Sequence, residues 1–465
     1  MNNLIESLQN VCGLHFFKFD DKIVFYGDTS IFDESLQQTL VEHKDAMLSA
    51  LPEGGGQVEM NFCQRSMALD DLYQGSGSRN SVVLLLSAAY VIDEPTVRGT
   101  IDWLCRCYPL LDAEAEIDGE RFCFRIQSRP STQRVVIDQR DYETEKEFVT
   151  AQEQNPCCLF EGGLLKMIGG IINGKRRWAL CLHHAVFDGP FLTHLLGLLA
   201  GAITARHQPD IEADFNFIQQ NWHLEQTARA SREEMESYWR QQRALFSEAD
   251  LTTSNFRPLE PEVCTVNWEL GKDLSAQLMT ALESSQSSML DLSFAAFAHG
   301  LAVDSPKRSF VALTTLSLRS DTGTTPCSGF FTNLVPILLQ PGSEECESSS
   351  PLQVVSRIGA KLREAFDHGL LPYEQIRDLA CIDHSAPLAI INLLPREEPS
   401  AVAKYRGLIV EPAQDKIRRP FKLTIVGSPR SEWMLSLSSS LSKTRLTEIL
   451  DRMKDFILMC GQVKA

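Results

Sequence analysis

Residues 164–203 read LLKMIGGIINGKRRWALCLHHAVFDGPFLTHLLGLLAGAI, and this stretch decides the local fold. Two apolar runs flank Asn173-Gly174, a pair that favours a two-residue turn between antiparallel strands. Pro190 suits the first turn of a helix, and leucines recur beyond it at helical spacing. The pattern therefore predicts a β-hairpin, a short loop and a helix, in that order.

The loop between the second strand and the helix carries His183-His184-x-x-x-Asp188-Gly189. A loop anchored by regular structure on both sides can hold a side chain in fixed geometry and still present it to a substrate. An imidazole that titrates near neutrality can accept a proton from a nucleophile or hold that nucleophile in place. For an isolated histidine, a polar residue satisfied by backbone would be the better interpretation. Here the Asp, the Gly and the loop context favour a catalytic one.

The composition is that of an acidic globular protein. The 465 residues are 43% hydrophobic and 23% charged, and 61 acidic residues against 44 basic ones give a formal charge of −17. Such a surface disfavours binding to nucleic acid or to anionic membranes, and no apolar run is long enough to span a bilayer. The 13 cysteines include no CxxC pair, and the N-terminus lacks a signal-peptide pattern. We therefore expect a cytoplasmic protein with reduced cysteines, no metal, and no nucleic-acid or membrane partner.

The N-terminal part of the chain predicts a small unit of its own. Leu4 and Leu8 have helical spacing, and HFFKFDDKIVFY predicts two short strands joined by a tight turn. Asp33 or Ser35 is expected to cap a second helix. The Gly-rich stretch LPEGGGQ predicts a flexible linker, which we place at residues 56–60.

After the linker, strand-like and helix-like patches alternate to the end of the chain. β-prone runs such as SVVLLLSAAYVI and RRWALCL are separated by helical stretches such as LTEILDRMKDFILM. This alternation over about 400 residues predicts an α/β (α+β) protein with more than one lobe.

The segment from Asn61 to Ala465 resembles a condensation domain of nonribosomal peptide synthetases, within the chloramphenicol-acetyltransferase-like superfamily. Besides the HHxxxDG motif at 183–189, four patches match the family in order: EMESYWRQQRAL, LTTLSLRSDTG, CSGFFTNLVPILL and DHGLLPYEQI. Two departures leave the donor subtype open. Pro190-Phe191 follow the motif in place of Trp-Ser, and RCYPLL stands where the family has RHPxLR.

The resemblance implies two lobes of similar fold, set in a V with a central tunnel. The N-lobe would span residues 61–225 and the C-lobe residues 226–465. Carrier proteins would deliver their arms to the tunnel from opposite faces, so the substrate arrives on 4′-phosphopantetheine and no cofactor is bound.

The resemblance also assigns roles to individual residues. His184 would be the catalytic histidine and His183 would support the loop. Asp188 would form a buried ion pair with Arg319, and the Gly189 backbone would lie near the reacting carbonyl. The site residues implied are therefore His184, His183, Asp188, Gly189, Arg319 and, in the second-lobe motif, Asn333.

Residues 1–55 resemble the β-hairpin docking domains of the TubC type, on the stretches LIESLQNVCGL, FFKFDDKIVFYGD and LQQTLVEHKDAMLSAL. The resemblance implies recognition of an upstream carrier protein through a short linear segment at its C-terminus. Because acidic residues outnumber basic ones here, we expect that segment to be basic or mainly apolar. The alternative is an N-terminal decoration packed on the main body.

These features favour a free-standing, monomeric condensation enzyme in nonribosomal peptide or hybrid polyketide biosynthesis. It would transfer an acyl group from a carrier thioester to an amine or alcohol, presented by an acceptor carrier or as a free small molecule. Two alternatives remain: an acyl-CoA-dependent acyltransferase, although the DFGWG motif of the plant enzymes is missing, and a non-catalytic docking or scaffold protein. Epimerisation is disfavoured because no EGHGR-type segment occurs. Cyclisation is disfavoured because cyclisation domains replace the motif histidines with Asp.

Overall fold

The structure of the chain is a computed structural model, and it describes these residues: 5–9, 14–19, 21–51, 56–74, 80–88, 90–127, 134–161, 163–206, 208–247, 249, 263–302, 309–319, 326–340, 349–383, 388–395, 408–412, 421–427 and 432–462. The chain folds into two units. The first comprises residues 1–229, 318–331 and 400–414, and the second comprises residues 230–317, 332–399 and 415–465. The units do not follow the predicted division at 225/226 throughout, because two later segments belong to the first unit.

The N-terminal segment is built on an antiparallel hairpin, β1 (Leu14–Phe19) and β2 (Lys22–Gly27), as predicted. Residues 5–9 are helical, and Leu4 lies outside the described residues. After the hairpin come α1 (Glu34–Glu42) and α2 (Lys44–Ala50), so the predicted second helix is interrupted at His43. Asp33 caps α1, because its carboxylate accepts a hydrogen bond from the Leu36 amide at 2.7 Å.

The prediction of a flexible linker at residues 56–60 is wrong. Residues 57–59 form β3 (Gln57–Glu59), which pairs with β6 (Arg121–Arg125), and β6 in turn pairs with β5 (Glu114–Asp118). Gly56 is required for a steric reason, since a Cβ at this position would lie 2.3 Å from Cγ of Phe17. Glycine here permits the close approach of the Phe17 side chain and does not indicate flexibility.

A larger sheet forms the centre of the first unit. Its strands are β4 (Ser81–Ala88), β7 (Val135–Tyr142), β8 (Leu165–Ile172), β9 (Lys175–His183) and β14 (Leu408–Pro412). Within the described residues their order is β14-β4-β9-β8-β7, antiparallel except for β7 with β8. The helices of this unit include α3 (Phe62–Gln74), α4 (Glu94–Cys107), α5 (Glu145–Glu153), α6 (Gly189–Ala205) and α7 (Asn216–Ala230).

The turn between β8 and β9 confirms the hairpin predicted from Asn173-Gly174. Both residues have positive φ, 50° for Asn173 and 70° for Gly174. Such a turn matches the right-handed twist of the strands it joins. It fixes the register in which β9 delivers His183 to the end of the sheet.

The second unit has a sheet of its own. The strands are β10 (Cys264–Glu269), β11 (Phe310–Ser317), β12 (Thr332–Leu339), β13 (Ala389–Pro395), β15 (Phe421–Gly427) and β16 (Met434–Ser439). For the part of the chain that is described, their order is β10-β16-β15-β13-β11-β12. The helices include α8 (Arg232–Ser247), α9 (Lys272–Ser284), α10 (Met289–Ala302), α11 (Pro351–Asp367), α12 (Tyr373–Ala380) and α13 (Lys443–Gly461).

The predicted mixed α/β class is confirmed. No helix within the described ranges is both long and apolar enough to cross a membrane.

Candidate active site

The HHxxxDG segment lies between a strand and a helix, as predicted. β9 ends at His183, residues 184–186 form a 3-10 turn, and α6 begins at Gly189. Asp188 caps this helix, because its carboxylate accepts a hydrogen bond from the Phe191 amide at 3.3 Å. The turn therefore has regular structure on both sides, which fixes the direction of its side chains.

His184 lies in the turn with its side chain partly exposed. Its Nδ1 is 3.1 Å from the carbonyl oxygen of Phe187. Because a carbonyl can only accept, Nδ1 carries the hydrogen and Nε2 of the neutral ring keeps its lone pair. The ring stacks on Phe187 at 4.3 Å and meets the edge of Phe330 at 5.0 Å. Burial among these groups lowers the pKa of His184 from its ordinary value of 6.5, so the ring is neutral at physiological pH.

His183 is fully buried and is held by a closed set of hydrogen bonds. Its Nε2–H donates to the Asp71 carboxylate at 2.8 Å, and its Nδ1 accepts from the Ala185 amide at 3.2 Å. The other oxygen of Asp71 accepts from the Asn80 side chain at 2.7 Å. The Asn80 carbonyl in turn accepts from the His184 amide at 2.6 Å. His183 thus fixes the turn that presents His184.

Replacement of Asp71 by alanine is expected to disorder this turn, because it removes the acceptor of the buried His183 Nε2–H. A buried donor left without a partner costs about 1–3 kcal/mol of unfolding free energy, and a misplaced His184 should lower turnover by about 10²-fold. Urea unfolding and transfer rate measure the two effects. Glu234→Ala is the control, since Glu234 is an exposed carboxylate on α8, outside this network. Equal stability and turnover of the two variants would contradict the role of Asp71.

Asp188 and Arg319 form a bidentate ion pair. Nε and a terminal nitrogen of Arg319 each donate to one oxygen of Asp188 at 2.7 Å, and the side chains are 11% and 2% exposed. The guanidinium also donates to the Gly329 carbonyl at 3.2 Å and lies 4.9 Å from the ring centre of Phe331. The Gly329 amide donates to the Val186 carbonyl at 2.8 Å. Residues 326–331 are therefore held against the histidine turn by two contacts, one through Arg319 and one through the Gly329 amide.

A buried cluster of amide side chains makes a further connection. Gln64 donates to the Ala185 carbonyl at 2.9 Å, and Asn61 donates to the Phe330 carbonyl at 3.1 Å. Asn61 also donates to Asn221 at 2.9 Å, and Asn221 donates to Gln64 at 3.2 Å. These residues and Asp71 were not predicted from the sequence. Gln64, Asp71 and Asn221 lie on helices, where a polar side chain usually indicates a solvent-exposed face.

Cys327 lies beside the ion pair. Its Sγ accepts from Arg319 at 3.5 Å and donates to the Gln220 side-chain oxygen at 3.2 Å. Burial raises the pKa of the Cys327 thiol to about 11, so it is protonated and a poor nucleophile at neutral pH.

Two predicted site residues have different surroundings. Gly189 is exposed, and a Cβ on it would meet no described residue within 4 Å, which leaves free space beside this backbone. Asn333 belongs to the second unit, where its amide donates to the carbonyls of Gly369 at 2.8 Å and Leu371 at 2.7 Å. That contact holds the connection between α11 and α12, which is a structural role.

The described residues contain no group of His, Cys, Asp and Glu side chains that could hold a metal ion. What the site does offer is a neutral imidazole with an available lone pair, on a rigid turn, next to open space at a helix N-terminus. Such an arrangement suits acceptance of a proton from a nucleophile that attacks an activated carbonyl.

The sequence profile of the family described as "Condensation domain" matches residues 56–460. The chain belongs to the condensation-domain family. No curated protein matches this condensation-domain chain. Solved structures with its fold include the first condensation domain of the CDA synthetase, with a TM-score of 0.67 and 16% identity over 88% of this chain and 97% of that one.

Two further solved structures of this fold are described as other types of domain. The epimerization domain from the third module of tyrocidine synthetase B has a TM-score of 0.63 and 16% identity, over 88% of this condensation-domain chain and 98% of that one. The cyclization–docking bidomain of EpoB from Sorangium cellulosum has a TM-score of 0.66 and 12% identity, over 100% of this chain and 99% of that one. At such low identity the likeness shows the fold alone, so the reaction has to be argued from the site residues.

Proposed function

We propose that this chain transfers an acyl group from the pantetheine thioester of a carrier protein to an amine or alcohol, with His184 as the catalytic residue. One observation carries the proposal: Nδ1–H of His184 is committed to a backbone carbonyl, which leaves the Nε2 lone pair available. A neutral imidazole in this tautomer accepts a proton at Nε2 near physiological pH.

The proposed reaction is direct acyl transfer. The nitrogen or oxygen of the acceptor attacks the thioester carbonyl carbon, so that a C–N or C–O bond forms and the C–S bond breaks. The proton of the acceptor passes to Nε2 of His184 and then to the leaving sulfur, which departs as the pantetheine thiol. Because a thioester is already activated, alignment and one proton transfer are the main requirements. The protonated, buried thiol of Cys327 favours this route over an acyl-cysteine intermediate.

The other site residues would act through His184. His183 and the Asp188–Arg319 pair are positioning residues, since each fixes the turn by buried hydrogen bonds. Gly189 would give the substrate room beside the helix N-terminus, because no atom of the described residues occupies the space of its absent Cβ.

We also propose that residues 1–55 receive the upstream carrier protein or its C-terminal segment. The support is the fold likeness to a cyclization–docking bidomain over the full length of this chain. The acceptor would be a second carrier protein or a free small molecule, because either can bring a nucleophile to the exposed side of His184.

The proposal is tested by incubating the chain with acyl-loaded carrier protein and a panel of aminoacyl carriers, free amines and alcohols. Intact-protein mass spectrometry should show the acyl mass leaving the donor and appearing on the acceptor. The same acyl group on CoA is the control. Transfer from CoA but not from the carrier would contradict the proposal and favour an acyl-CoA-dependent enzyme. Loss of water, or inversion without a change of mass, in place of transfer would instead indicate cyclisation or epimerisation.

The pH dependence of transfer should report the neutral form of His184. Burial lowers the pKa of this histidine from 6.5, so the proton-accepting form persists at lower pH than in a free imidazole. The acid limb of kcat/KM is therefore expected below pH 6.5. A pH–rate profile with the acyl carrier well below its KM measures it, and a limb centred above 6.5 would contradict this role.

A further inference from the structure

A cleft of about 540 Å³ lies between the N-terminal hairpin and the main body of the first unit. Its volume falls in the range of ligand-binding sites. The cleft has three walls, which are the β1–β2 hairpin, the strand pair β3–β6 and helix α7. The lining residues used below are His15, Phe17, Tyr26, Trp222, Glu225 and Arg229.

The hairpin is fixed against the body, so the cleft has a defined shape. Phe17 and Phe19 meet the ring of Phe215 edge-on at 5.8 and 4.9 Å. Gln219 of α7 both accepts from the Gly27 amide at 3.2 Å and donates to the Gly27 carbonyl at 2.9 Å. The N-terminal segment is therefore packed on the body, and any partner at this position meets both.

The apolar part of the cleft is aromatic. His15 stacks on Tyr26 with ring centres 5.0 Å apart, and burial lowers the pKa of His15, so this wall is uncharged at neutral pH. Trp222 lines the cleft from α7 and is only partly buried. Exposed aromatic surface of this kind binds apolar or aromatic side chains of a partner.

One arginine of the cleft has no ion-pair partner among the described residues. Arg65 lies 3.7 Å from Glu59 and 3.0 Å from Glu225, so these two carboxylates share one guanidinium, and Arg121 pairs with Asp118. Arg229 is exposed, and no acidic group among the described residues pairs with it. A ligand with one carboxylate would complement this arginine.

We propose that this cleft binds a short peptide segment of a partner protein, one that carries a carboxylate for Arg229 and an apolar or aromatic side chain for Trp222 and Tyr26. The proposal rests on the function proposed above, in which residues 1–55 receive an upstream carrier. It differs in two respects from what the acidic N-terminal sequence predicts. Recognition depends on α7, which lies outside residues 1–55, and the partner segment is acidic at one position rather than basic.

A random heptapeptide library with free C-termini, selected on the full chain, is the probe. Enriched peptides should share a carboxylate next to an apolar or aromatic residue. In fluorescence polarisation with one synthetic, labelled peptide, Arg229→Glu should raise Kd about fivefold or more and Trp222→Ala about tenfold or more. Arg243→Glu, the same charge reversal at an exposed arginine of α8, is the matched control and should leave Kd unchanged.

A second measurement tests whether the carboxylate of the peptide is the group that binds Arg229. Its replacement by an amide should weaken binding to the wild-type chain but cause little further loss in Arg229→Ala, because the two changes remove one interaction. A library that enriches no peptide, or peptides that bind Arg229→Glu and Trp222→Ala with unchanged Kd, would overturn the proposal. The binding assay contains no acyl donor and the transfer assay contains no peptide, so the two proposals can fail separately.

Discussion

Replacement of His184 by alanine is expected to lower the rate of acyl transfer by about 10²–10⁴-fold, the usual contribution of a general base. The variant removes Nε2, which is the proposed proton acceptor, and it also removes the Nδ1–H···O=C bond to Phe187. Single-turnover transfer from acyl-loaded carrier to an amine acceptor measures the effect without interference from product release.

His184→Asn separates the chemical role of this residue from its structural one. The asparagine amide can replace the Nδ1–H donor to the Phe187 carbonyl, but it has no equivalent of the Nε2 lone pair. We expect His184→Asn to unfold at the same urea concentration as the wild type and to be as slow as His184→Ala. Full-rate transfer by His184→Ala would exclude the assigned role. Recovery of the rate in His184→Asn would show that the ring serves only to hold the turn.

Arg319→Ala is expected to lower the free energy of unfolding by about 3–5 kcal/mol, because the 2%-exposed Asp188 would be left as an uncompensated buried charge. The loss would also release the Gly329 carbonyl, so transfer should become undetectable with the unfolding of the turn. Urea unfolding followed by tryptophan fluorescence measures the stability change.

Two variants show whether the geometry of the pair matters. Arg319→Lys keeps the charge but cannot donate to both oxygens of Asp188, so it should recover only part of the stability. Arg243→Ala truncates an exposed arginine on α8 and should change the unfolding free energy by less than about 0.5 kcal/mol. If Arg319→Ala is no less stable than Arg243→Ala, the ion pair does not hold the site.

The local part of the site was predictable from sequence because local chemistry determines it. Asn173-Gly174 can adopt the positive φ of a tight turn, and Asp188 followed by Pro190 is a typical helix start. These residues specify where the strand ends and the helix begins without reference to the rest of the chain. The position of His184 in a rigid turn follows from them.

The long-range part could not be predicted in the same way. The family resemblance, not residue spacing, implied the Asp188–Arg319 pair, which joins positions 131 residues apart. Asp71 and Gln64 bind the histidine turn from α3, yet on a helix they are indistinguishable in sequence from solvent-exposed polar residues. Gly56 is a further case, because its small size serves the approach of Phe17 and not chain flexibility.

Three consecutive side chains of α7 reach three different parts of the first unit. Gln219 holds Gly27 of the hairpin, Gln220 meets Cys327, and Asn221 joins the amide cluster beneath the histidine turn. An α-helix rotates by about 100° per residue, so neighbouring side chains necessarily face different directions. For engineering, the N-terminal segment therefore cannot be exchanged on its own. A chimaera that exchanges it has to bring α7 along, or supply a new hairpin that satisfies Gln219.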